Sequence, residues 1–186
     1  THNHINRSDS KVPGVYSDYK LSSDGKDVES ITYDITKDQN QLNIAKAALK
    51  ANPDLYFEGF SNSAPYFMTK TGCTSGGGTV NSDGTVKSNG NLNNLNDDMY
   101  DDFAKFIADA TKLFKDNGIE FKSYSPMNEP DTDYWGYGSL KQEGCHFDPG
   151  TSQSKMITET RKALDNAGFF YEPVEGMDAK ILNIKI

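Results

Sequence analysis

The sequence predicts an α/β fold: part of a (β/α)8 TIM barrel, about its first half, with long strand-to-helix loops and residues 1–186 forming a single partial domain. Three observations predict it. Helical and strand-like segments alternate along the chain. Each long loop follows a strand, whereas the helix-to-strand returns at Asn52-Pro53-Asp54 and Gly118 are tight. The strand-like segments recur every ~50–65 residues, so the 186 residues hold only three or four units of a barrel that typically needs ~250. An open doubly wound sheet would use the same strand ends, but with shorter loops and a phosphate-binding glycine fingerprint. Gly76-Gly77-Gly78 is not that fingerprint, because it lies deep in a loop and no Lys-Ser/Thr follows it.

The elements follow in order. Residues 38–51 predict a helix, with Asp38 as N-cap, Gln41 three positions on, apolar Leu42, Ala45, Ala48 and Leu49, and a stop at Asn52-Pro53. Residues 55–60 are compact and aromatic, which predicts a strand buried on both faces. From residue 61 to about 96 the chain is dense in Gly, Ser, Asn and Thr without apolar periodicity, and reads as a long surface loop. Residues 97–117 carry the clearest helix: Tyr100, Phe103, Ile107, Ala110 and Phe114 recur at three- and four-residue steps, joined by Phe106 and Leu113. Asp97 and Asp98 suit its N-terminal end, Lys112 and Lys115 its C-terminal end, and Gly118 the C′ position. Residues 119–125 form the next strand, followed by a loop over 131–150. A helix over 151–167 places Met156, Ile157, Thr160, Ala163 and Leu164 inward and closes at Gly168, and residues 169–176 supply one more strand.

Composition bounds the function. With 35% hydrophobic and 11% aromatic residues the chain can bury a core. Its formal charge of −8 argues against nucleic acid and anionic membranes, both of which want clustered Lys and Arg, and favours a neutral polyhydroxylated ligand. No apolar run reaches the ~18 residues of a membrane span and no signal peptide is visible. The first residue, Thr1, is not Met, which leads us to expect a removed or uncaptured leader. Cys73 and Cys145 both fall in polar loops, either as one loop-tying bridge or as two free thiols. His2, His4 and His146 are scattered, and Asp131 and Asp133 lack the glycine and distal Glu of a calcium loop, so no metal site is expected.

The chemistry concentrates in Ser125-Pro126-Met127-Asn128-Glu129-Pro130, which places a carboxylic acid between two prolines directly after a strand. Pro130 disfavours a helical Glu129 and predicts an extended one, its carboxyl projecting into a loop-lined cleft as a proton donor. Asn128 offers a donor and an acceptor to a sugar hydroxyl. The bland alternative for both is a strand-terminating turn. Ser61 and Asn62 would line the cleft, or satisfy backbone groups in a turn; Tyr66 would form its wall. Trp135, the single tryptophan, would stack on a sugar face with Tyr134 and Tyr137 extending the platform, or would pack inward.

The run Phe60-Ser61-Asn62-Ser63-Ala64-Pro65-Tyr66-Phe67-Met68-Thr69, followed by 125–130, resembles glycoside hydrolase family 30. The resemblance extends through Tyr134-Trp135, Gln142-Glu143-Gly144-Cys145 and, upstream, Ile5-Asn6-Arg7, and looks most like the endo-β-1,6-galactanase branch. It implies a retaining glycosidase needing no cofactor, with Glu129 as acid/base after the fourth strand and Asn128 on the hydroxyl next to the anomeric carbon. It also implies a nucleophile Glu after the seventh strand. That strand is not among these residues, so this chain alone is expected to be inactive. Glu143 is not that nucleophile, since it follows the same strand as Glu129. The implied partner is a polysaccharide or oligosaccharide, in a secreted or cell-surface protein, alongside the missing half of its own barrel. Alternatives are a glucuronoxylanase- or glucosidase-type member of the family, a non-catalytic carbohydrate-binding remnant, and a second polypeptide that supplies the remaining strands.

Overall fold

The computed structural model describes residues 14–138 and 143–169. The chain opens with an antiparallel hairpin, β1 (Tyr16–Leu21) and β2 (Val28–Tyr33), in which Tyr16 faces Tyr33 and Tyr19 faces Ile31. The sequence reading passed over this hairpin, although Asp24-Gly25 is a turn signal and Gly25 takes a positive φ of 71°. Two aspartates of the long central helix hold the hairpin: Asp102 accepts from the Val28 N–H at 2.8 Å and Asp109 from the Tyr33 hydroxyl at 3.0 Å. Burial raises the pKa of Asp102.

A 3-10 turn (Ile35–Asp38) leads into α1 (Gln39–Ala51), with Asp38 at its N-cap as predicted. The Asp38 carboxylate does not cap the backbone; it accepts from the Gln41 side-chain amide at 3.0 Å. Only Leu42 of α1 is fully buried, and Ile44 is 67% exposed. β3 (Glu58–Phe60) pairs in parallel with β6 (Ser123–Ser125), Gly59 opposite Tyr124. Gly59 is required there, because a Cβ would strike the Tyr124 ring. The expected strand over 55–60 is therefore shorter than predicted, and it is not buried on both faces: Glu58 and Phe60 are exposed and only Gly59 is covered. The strand over 119–125 likewise narrows to β6.

Residues 61–96 correct the reading of a plain surface loop. They contain a 3-10 turn (Tyr66–Met68) and a second hairpin, β4 (Gly78–Val80) with β5 (Val86–Ser88), and they bury Met68, Ser75, Asn94 and Leu95. Asn94 stitches this segment together. Its side chain accepts from the Thr71 N–H at 3.1 Å and donates to the Cys73 carbonyl at 2.7 Å, while its N–H points at the Cys145 sulfur at 3.1 Å. Both cysteines are free and buried, the second of the two expectations, and burial pushes the Cys145 thiol up to about 11.

The core forms where α2 (Tyr100–Asp116) meets α3 (Ser152–Asn166). The predicted stripe of α2 is inward, with Phe103 and Ile107 fully buried against Met156 and Leu164 of α3. Gly118 and Gly168 follow the two helices with φ of 89° and 87°, the left-handed conformation a C′ glycine supplies without steric cost. The strand expected over 169–176 lies almost wholly outside the described residues.

Candidate active site

The β3–β6 register fixes where the site can be. The two strands run parallel, so the loops after Phe60 and Ser125 leave from the same end of the sheet, and the Ser61 N–H donates to the Ser125 carbonyl at 2.9 Å. Strand ends of this kind are where α/β folds carry their chemistry.

Glu129 stands in the second loop, partly buried, with a φ of 42°. It is the single non-glycine residue with positive φ among those described, so the extended conformation predicted from Pro130 is not adopted. Such a backbone costs on the order of 1–3 kcal/mol and persists where surrounding contacts over-determine it. Here three donors hold the Glu129 carbonyl: the Thr132 hydroxyl at 2.9 Å, the Trp135 indole N–H at 3.0 Å and the Thr132 N–H at 3.3 Å. The carboxylate is held separately, by the Tyr134 hydroxyl donating to Oε2.

Asn128 is buried, and its side-chain amide donates to the Glu143 carbonyl at 3.0 Å. That N–H is turned toward the 143–147 segment rather than toward open space. Trp135 is 2% exposed, its indole beneath the Glu129 loop, so the expected sugar-stacking face is not available on this residue. The inward packing weighed as its alternative is what occurs. Tyr134, at 56% exposed with its ring centroid 4.6 Å from that of Trp135, presents the open aromatic surface.

Ser61 and Asn62 lie apart from this cluster. They line a cavity of about 160 Å³ with Glu143, Tyr16 and Tyr124, and are linked to Asn128 through residue 143. The Ser61 hydroxyl reaches the Ser63 carbonyl at 3.4 Å, a local turn contact, and the buried Asn62 Oδ1 has no hydrogen-bond partner. Tyr66 does not line that cavity; its hydroxyl lies 3.2 Å from that of Tyr19. Thr132 and Tyr19 were not singled out from the sequence; a Thr three residues after an acid in a polar loop carries no distinctive signal. Among the described residues no group of three or more His, Cys, Asp or Glu could hold a metal ion, and no helix is long and apolar enough to cross a membrane.

A parallel strand pair whose two loops leave the same end is common to many α/β folds. The comparison with known families specifies which: residues 18–164 match the model of O-glycosyl hydrolase family 30, and the chain belongs to that family. It is 33% identical, over 76% of its length, to an endo-β-1,6-galactanase of Hypocrea rufa. It is 29% identical, over 92% of its length, to an exo-β-1,6-galactobiohydrolase of Bifidobacterium longum subsp. longum. These relatives bear out the resemblance to the galactanase-like branch. The chain spans 26% and 12% of their respective lengths. In structure, 88% of the chain superimposes on 30% of a conserved exported protein from Bacteroides fragilis, with a TM-score of 0.63 at 29% identity. A family 30 xylanase C catalytic domain from Talaromyces cellulolyticus shares the fold, with a TM-score of 0.56 at 20% identity over 77% of this chain and 30% of that one.

Proposed function

We propose that this chain is part of the catalytic domain of a retaining glycoside hydrolase acting on β-1,6-galactan or a related polysaccharide, with Glu129 as its acid/base. One observation carries the reading: Glu129 occupies a strand-end loop in a left-handed backbone that three donors stabilise, with its carboxylate separately oriented by Tyr134. A proton donor needs this control, because its oxygen must meet the glycosidic oxygen within hydrogen-bond reach as the bond breaks.

In the proposed reaction Glu129 gives its proton to the leaving oxygen while a second carboxylate, about 5–5.5 Å away, attacks the anomeric carbon. Glu129 then takes a proton from the water that releases the glycosyl intermediate. The second carboxylate is not assigned to any residue of this chain; the family resemblance puts it after a later strand, in a segment beyond these 186 residues. The open edges of β3 and β6 are proposed to pair with further strands of the same protein, completing the barrel, since a lone two-stranded pair is marginal in water. Tyr134 supplies an aromatic face for a sugar ring, with Ser61 and Asn62 forming the far wall. The galactan linkage rests on the two curated relatives, and secretion on the exported structural neighbour.

The test is hydrolysis of β-1,6-galacto-oligosaccharides by the full-length protein, followed by proton NMR from the first seconds. The reading expects the β-anomer to appear first. Initial release of the α-anomer, or cleavage of xylan or β-1,6-glucan with galactan untouched, would overturn it.

A further inference from the structure

The support beneath Glu129 goes further than its own loop. Given the proposed proton-donor role of Glu129, we infer that Trp135 is a positioning residue for the reaction and that the β4–β5 arm is the brace that holds it.

Trp135 is clamped from two sides. Its ring lies on Gly144, where a Cβ would run into the indole, and its carbonyl accepts from the Gly77 N–H at 3.0 Å. Gly76 (φ 78°) donates to the Gly144 carbonyl at 3.0 Å, and a Cβ there would strike the Trp135 carbonyl. At the far foot of the arm, a Cβ on Gly90 would strike the Asp133 carbonyl. Isolated bridges Ser75 to Gly144 and Gly77 to Gly136 complete the contact. Backbone therefore meets backbone at Gly76 and Gly90 while the indole covers Gly144, and these three glycines keep the junction that close.

The consequence reaches the acid through two adjacent residues. The Trp135 N–H fixes the carbonyl of Glu129, whose φ sets the direction in which the carboxyl leaves the backbone. Tyr134, one residue earlier, fixes Oε2. A shift of Trp135 would therefore move both ends of Glu129, and displacements of ~1 Å in catalytic groups can cost 10²-fold.

The experiment uses the full-length protein and two substrates of one sugar: β-1,6-galactotriose, whose leaving group needs a proton, and the 4-nitrophenyl glycoside of β-1,6-galactobiose, whose leaving group does not. Trp135→Phe keeps an aromatic ring, smaller than the indole, and removes the N–H. It is expected to lower kcat/KM on the triose about 10- to 100-fold, with kcat/KM on the nitrophenyl glycoside, which reports glycosyl transfer to the enzyme without the later hydrolysis step, nearly unchanged. Gly90→Ala, pressing from the opposite side through Asp133, is expected to show the same leaving-group signature and, combined with Trp135→Phe, to be far from additive. Equal losses on both substrates from both variants, or no loss, would overturn the inference. Glu129→Ala on the same pair separates the two levels: if it shows the signature and the two positioning variants do not, the acid/base reading stands and the positioning inference falls. If Glu129→Ala lacks the signature, the acid/base reading itself fails.

Discussion

The two loops leaving the β3–β6 pair are held far more firmly than the sheet from which they start. After β6, the Glu129 carbonyl has three donors and Trp135 is sealed beneath it; after β3, Asn94 ties residues 71, 73 and 145 into one buried knot. The strands themselves are three residues long, and their flank is open: Tyr56 is 58% exposed and Ile44 of α1 is 67% exposed. The order around the acid thus comes from polar stitching and glycine contacts within the loops, with α2 and α3 as the apolar foundation. The sheet sets the direction in which the loops depart, and the loops fix the geometry.

Substitutions can break this contrast, and the largest structural effect belongs to the knot. Asn94→Ala removes the acceptor of the Thr71 N–H and the shorter of two donors to the Cys73 carbonyl, which keeps the Thr71 hydroxyl at 3.4 Å; this should cost about 2–3 kcal/mol, whereas Tyr56→Ala on the open flank should stay within about 0.5 kcal/mol. Urea unfolding of the two variants measures the difference, and comparable losses would dissolve the contrast.

The second effect is a pH dependence of the same knot. The Cys145 thiol is raised from 9.0 to about 11 by burial, so between those values the folded state keeps a proton that the unfolded chain releases. Stability from this group is fully present below pH 9 and declines as pH rises toward 11, with a limiting slope of ~1.4 kcal/mol per pH unit. Chemical denaturation at pH 8, 9 and 10 should show a steeper decline in the parent than in Cys145→Ala; parallel curves would mean that the thiol is not sealed.

The smallest effect isolates the backbone of the acid. Glu129→Gly and Glu129→Ala both delete the carboxylate, but only glycine relaxes at φ 42°. The glycine variant should be about 1 kcal/mol the more stable. Equal melting curves would mean that the left-handed backbone carries no cost.

What was legible in the sequence follows the same division. The helices were readable because an apolar stripe at three- and four-residue steps has one physical meaning, and Phe103, Ile107, Met156 and Leu164 lie where that stripe puts them. Glu129 was located by its prolines, but its conformation was misread, because a local preference against the helical region says nothing about tertiary donors that stabilise a left-handed one. Trp135 looked like a sugar platform because a lone tryptophan in a catalytic loop has the same signature whether its face is open or covered by Gly144. Asn94 was invisible for a related reason: in a stretch crowded with Asn, Ser and Gly, nothing local distinguishes the asparagine that organises the loop from those that face solvent. The β1–β2 hairpin was missed despite Asp24-Gly25, since its alternation is blurred by register shifts in the pairing.

The proposed role of Glu129 as the acid/base of a retaining glycosidase can be tested by azide rescue of Glu129→Ala in the full-length protein, with 4-nitrophenyl β-1,6-galactobioside as substrate. In a retaining enzyme without its acid/base, azide enters the space left by the carboxylate and attacks the glycosyl intermediate without needing a general base. Azide should raise the turnover of the variant and yield a β-configured glycosyl azide product. No acceleration by azide, or a product of α configuration, would contradict that role.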